Sequence, residues 1–68
     1  MYRFNLKDDY IQLDQLLKVC KLAENGSHAH QLVDERKIKV NGEIATKRRA
    51  KIRKGDTIEY NKQIIKVE

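Results

Sequence analysis

The chain holds a single cysteine, Cys20, among 68 residues. No intramolecular disulfide can staple it, and a lone thiol fits a reducing compartment. Three glycines are too few to build a glycine-rich phosphate loop, and no nucleophile–base signature stands in for one. Aromatic residues are confined to Tyr2, Phe4, Tyr10 and Tyr60, which is not the base-stacking platform of RNA-recognition or oligonucleotide-binding folds. No apolar run is longer than pairs such as Leu16-Leu17 and Ile64-Ile65, so the pattern contains neither a secretory signal nor a membrane span. A cytoplasmic location is expected. His28 and His30, two apart on a helix, point about 200° away from each other and cannot chelate one ion. With Cys20 they make no zinc spacing, and no metal or other cofactor is expected. Asp8-Asp9 and Asp34-Glu35 read as a turn and an exposed helix end rather than as catalytic carboxylate pairs. The expectation is a protein that is not an enzyme.

Positive charge, by contrast, is plentiful and concentrated in one place. Residues 36–54 carry Arg36, Lys37, Lys39, Lys47, Arg48, Arg49, Lys51, Arg53 and Lys54 against Glu43 alone. Both flanks are net acidic, so the chain's excess of +5 arises entirely from this segment. Such asymmetry is the footprint of a surface that meets a polyanion. Arginine's planar fork binds phosphate bidentately, and lysine acts as a point charge. A charge run is more often a solvated face that keeps a domain soluble. The concentration of this one favours phosphate contact.

Apolar periodicity supplies the scaffold. A charged fraction of 37% could suggest disorder, but 40% apolar residues in regular patterns argue for a fold. Tyr2-Arg3-Phe4-Asn5-Leu6 alternates as a half-buried strand with Tyr2 and Phe4 in the core. Lys7-Asp8-Asp9 is a turn. Leu13, Leu16, Leu17 and Cys20 fall at i, i+3, i+4 and i+7, one stripe of a helix. Asn25 then caps a second helix to about Glu35, with Ala29, Leu32 and Val33 buried. Beyond it the period drops to two, with Ile38 and Val40 inward and Lys37 and Lys39 outward. Asn41-Gly42 is a hairpin turn, since both positions need φ > 0. A strand recurs at Lys51-Ile52, Gly55-Asp56 turns, and Thr57–Tyr60 and Gln63–Val67 pair across an Asn61-Lys62 turn. The result is one domain, residues 1–68, of α+β class. Its order is β-α-α-β-β-β, with two helices packed on a small, mainly antiparallel sheet.

Five pieces in this order are similar to a known family. Leu13-Asp14-x-x-Leu17, Leu22-Ala23-x-Asn25, Ala29-x-Gln31-Leu32-Val33, Lys37-Ile38-Lys39-Val40-Asn41-Gly42-Glu43 and Lys51-Ile52-x-x-Gly55-Asp56 together resemble the S4 RNA-binding domain, also called the αL motif. The strand ahead of the helices is similar to small stand-alone bacterial S4-like proteins. The chain departs from the family pattern at Gln12, where arginine is usual, at Asn25-Gly26 for Ser-Arg, at His30 for a basic residue, and at Arg36 for glycine. Its helical face keeps hydrogen-bonding groups but little fixed charge.

The resemblance implies structured RNA, ribosomal or transfer, as partner, with the ribosome or its assembly as context. The residues expected at the interface are Asn25, Ser27, His30, Gln31, Arg36, Lys37, Lys39, Asn41, Lys47, Arg48, Arg49 and Lys51. Asn41 serves chiefly as turn. His30 is expected to meet solvent or RNA, and His28 to be structural. A monomer is expected. The alternative is a protein-interaction module, an accessory subunit docking on an acidic partner. Duplex DNA ranks lower, because neither helix is basic enough to enter a major groove.

Overall fold

The computed structural model describes residues 2–68. Its elements are β1 (Tyr2–Phe4), β2 (Ile11–Gln12), α1 (Leu13–Val19), α2 (Gly26–Asp34), β3 (Lys39–Val40), β4 (Glu43–Ile44), β5 (Lys51–Ile52), β6 (Thr57–Tyr60) and β7 (Gln63–Val67). A five-stranded sheet runs β1-β7-β6-β3-β4. It is mixed, because β1 lies parallel to β7 while the other neighbours are antiparallel. β2 and β5 form a separate antiparallel pair.

Local chemistry explains most of these boundaries. Asn25 accepts a hydrogen bond from the His28 N–H through its side chain and opens α2. Both helices close in the same way. Lys21 (φ 61°) and Arg36 (φ 60°) turn left-handed. Their amides, and those of Leu22 and Lys37, then reach back to carbonyls of the last helical turn, the Schellman arrangement. The two hairpin turns at Asn41-Gly42 and Asn61-Lys62 have positive φ at both central residues, which matches the right-handed twist of the strands they join.

The helices contribute Leu13, Leu16, Leu17, Ala29, Leu32 and Val33 to the core, and the strands Ile52, Ile58, Ile65 and Val67. Each such side chain, fully buried, contributes roughly 1.5–3 kcal/mol. Cys20 packs against this cluster half-buried, and burial pushes its thiol pKa up.

The structure departs from the expected pattern in the first strand. Tyr2 stands 58% exposed, not in the core. β1 is the edge of the sheet, and among the described residues no further strand lies beyond it to cover the ring. Ile11–Gln12 also forms a strand that alternation over two residues could not reveal. No helix among the described residues is long and apolar enough to cross a membrane.

Candidate nucleic-acid interface

The basic loop between β4 and β5 is held by its backbone. Gln12 precedes α1 without a capping side chain, leaving the first amides of the helix in need of acceptors. The loop supplies them. Leu13 N–H donates to the Ala50 carbonyl at 2.9 Å and Asp14 N–H to the Arg48 carbonyl at 3.1 Å, while Ala50 N–H closes a turn on Lys47. With these carbonyls engaged inward, the side chains of Lys47, Arg48 and Arg49 stand exposed. Lys51, at the loop's end, pairs with Gln12 in the β2–β5 ladder. Its ammonium lies 5.1 Å from the centre of the Tyr10 ring, a cation–π contact.

Asp14 ties this loop to both helices. It is only 8% exposed, a rare condition for a carboxylate unless its oxygens are partnered. Oδ1 accepts from the Gln15 amide at 2.8 Å, and His30 Nε2 donates to Oδ2 at 2.9 Å. The Arg49 guanidinium lies 3.9 Å from the same oxygen, with its side chain 72% exposed. His30 was expected to meet solvent or RNA. Its ring is instead half-buried, with Nε2 joining α2 to the start of α1.

Two further ion pairs organise the end of α2. Arg48 grips Asp34 with Nε and Nη2 in a fork, the bidentate geometry that favours arginine over lysine. Those hydrogen bonds hold the Asp34 carboxyl below the usual carboxylate range and push the Arg48 guanidinium pKa up. Gln31 donates to Glu35 at 3.0 Å and Lys37 approaches it at 3.1 Å. These contacts, the Gln31 hydrogen bond first, lower the Glu35 pKa, and Glu35 in turn raises that of Lys37. All four charges are exposed, so the pairs orient side chains more than they stabilise the fold.

The remaining expected residues divide by face. Ser27 is exposed on α2. Asn25 Oδ1 is engaged as the helix cap. Asn41 donates to Asp56 and accepts from Thr57 N–H, so its amide joins the β3–β4 turn to β6. Lys39 sits opposite Ile44 and Glu59 in the ladders, while the adjacent Val40–Ile58 row points into the core. Lys39 therefore emerges on the outer face of the sheet, away from the helices. Arg36, Arg48, Thr46 and Asp34, with Val33 beneath, line a cleft of about 310 Å³ at the end of α2. Thr46 was not among the expected residues, and nothing in its sequence surroundings marks it. Among the described residues no three His, Cys, Asp or Glu side chains gather as a metal site.

The pattern of the S4 domain family matches residues 4–68 of this chain. The chain belongs to the S4 domain family. Its fold is similar to the solution structure of Escherichia coli YbcJ, with a TM-score of 0.74 and 32% sequence identity over 98% of this chain and 86% of that one. YbcJ is described as revealing an αL motif involved in RNA binding. No curated protein matches this chain in sequence. In this S4 domain the helical hairpin is α1–α2, and the basic segment that follows is split between the β3–β4 hairpin and the docked loop.

Proposed function

We propose that this S4 domain is a non-enzymatic RNA-binding protein that grips structured RNA by its phosphates. The observation that carries the reading is the backbone docking of the Lys47–Lys51 loop on the start of α1. It displays Arg48, Arg49 and Lys51 from a fixed support beside the exposed face of α2. Fixed cations lose less freedom on binding than cations on a loose tail. Arg36 and Lys47 extend the positive surface. Ser27 and Gln31 offer hydrogen bonds at its edge, with Asn25 and His30 shaping the helix beneath. Lys37 lies beside the surface, Lys39 emerges on the outer sheet face away from it, and Asn41 holds the hairpin. The scarcity of aromatic side chains favours RNA read through shape and backbone over splayed bases. Ribosomal or transfer RNA, in the cytoplasm and in the context of the ribosome, suits that mode, and a monomer suffices for it.

The test is the combined variant Arg48→Ala, Arg49→Ala, Lys51→Ala, measured by fluorescence anisotropy on an RNA hairpin across a salt series. Affinity is expected to fall by more than about tenfold, and the slope of log K against log salt to flatten by about one per lost phosphate contact. Unchanged binding by a folded variant overturns the assignment.

One observation favours a second reading, a protein-interaction module. Ile44 and Ile64 are exposed at opposite ends of the Lys39–Glu59 row on the outer sheet face. A protein partner that survives ribonuclease treatment in a pull-down, and is lost with Ile44→Lys and Ile64→Lys, supports that reading.

A further inference from the structure

Arg36 stands in left-handed backbone (φ 60°) just past the Glu35 cap of α2, a conformation that glycine adopts freely and any residue with a Cβ adopts at a cost. The amide pattern of the helix end needs only the backbone. The guanidinium adds nothing to that closure, and it makes no ion pair among the described residues. It lines the cleft of about 310 Å³ shared with Thr46, Arg48, Asp34 and the buried Val33.

The other side of the cleft is built. Asp34 holds Arg48 through Nε and Nη2, which fixes the plane of the guanidinium and leaves its other N–H groups unengaged. Thr46 lines the same cleft. Two arginines against one aspartate leave the cleft net positive, and the buried Val33 adds an apolar element to its lining.

We infer that this cleft is a seat for a single RNA phosphate, held by the Arg36 and Arg48 guanidiniums with the Thr46 hydroxyl donating to one of its oxygens. The inference rests on the RNA-binding reading above and assigns it a defined point of contact. A phosphodiester of the RNA backbone and a terminal 5′-phosphate, which carries an extra oxygen and more charge, both offer the anionic oxygens this seat would hold.

Arg36→Gly is the direct test, because glycine removes the cation and relaxes the backbone together. Anisotropy on an RNA hairpin over a salt series is expected to show roughly tenfold weaker binding and a log–log slope flatter by about one. Thermal unfolding is expected to occur at the same or a higher temperature, so the loss cannot be ascribed to unfolding. Thr46→Val is expected to weaken binding a few-fold with the slope unchanged, since no charge is lost. Running the hairpin with a 5′-hydroxyl and with a 5′-phosphate separates the two sources. An effect seen in both places a backbone phosphate in the seat, and an effect confined to the second places the terminal one. If Arg36→Gly binds like the parent while the triple Arg48/Arg49/Lys51 variant loses binding, the seat is wrong and the functional reading stands. If neither variant changes binding, the functional reading itself fails.

Discussion

Arg36 and Asp14 are the two residues whose cost to the fold asks for a reason. A left-handed non-glycine residue costs roughly 1 kcal/mol relative to glycine. Arg36→Gly should therefore raise stability by about 0.5–1 kcal/mol in urea unfolding, while weakening RNA binding as described above. Asp14 is nearly buried and joins α1, α2 and the basic loop through His30 and Arg49. Asp14→Ala removes the acceptor and strands its partners, so it should lower stability by about 1–3 kcal/mol. A loss below a few tenths would mean that the His30 contact is ornamental. Asp14's role could not be read from the chain, since Asp14 and His30 are 16 positions apart, and the Asp34–Arg48 pair spans 14. Charge spacing along a sequence says nothing of pairs made across a fold. Asp34 also sets a pH dependence. Its folded pKa lies below the ordinary 3.8, so the stability it contributes is complete above that value and is lost as pH falls through the depressed one. Asp34→Asn should flatten the acid limb of melting temperature against pH below about 4, relative to the parent. The change should be small, because the pair is exposed.

At the scale of elements, short-range chemistry was legible and long-range pairing was not. The α2 cap at Asn25, the helical stripes and the Asn41-Gly42 and Asn61-Lys62 turns each follow from a few neighbouring residues. Asn25→Ala should accordingly cost about 1 kcal/mol, read by chemical denaturation. Lys62 occupies the second position of its turn with φ 67°, where glycine is favoured. Lys62→Gly should leave stability equal or higher, and a loss would contradict the turn assignment. What the sequence hid are pairings between distant segments. β2 is two residues long, too short to show alternation, and the expected Lys51-Ile52 strand, β5, pairs with it because the basic loop folds back on α1. β1 lies beside β7 only because the two ends of the chain meet. That contact makes β1 an edge, and it leaves Tyr2 in solvent despite an alternating pattern that places it in a core. The same blindness applied to the site. Lys39 alternates correctly as an outward residue, yet which side of the molecule is outward depends on where the helices lie.

Across the whole molecule, charge and architecture point in one direction. Nine cations against Glu43 alone in residues 36–54, in a chain of net charge +5, give a surface that attracts a polyanion at long range. The fold converts part of that segment into a fixed array: the loop backbone caps α1, Asp34 orients Arg48, and Tyr10 lies against Lys51. In the proposed RNA-binding mode, phosphate contact falls to the loop and to Arg36, because Asn25-Gly26 and His30 bring no fixed cation to the helical face. The measurement that tests this most directly is fluorescence anisotropy of the unmodified protein on an RNA hairpin, a single-stranded RNA and a DNA duplex, each across a salt series. The account predicts tightest binding to the hairpin, with log K falling steeply and linearly with log salt. Equal, weak binding to all three would contradict it, and would reduce the basic segment to an indiscriminately sticky surface.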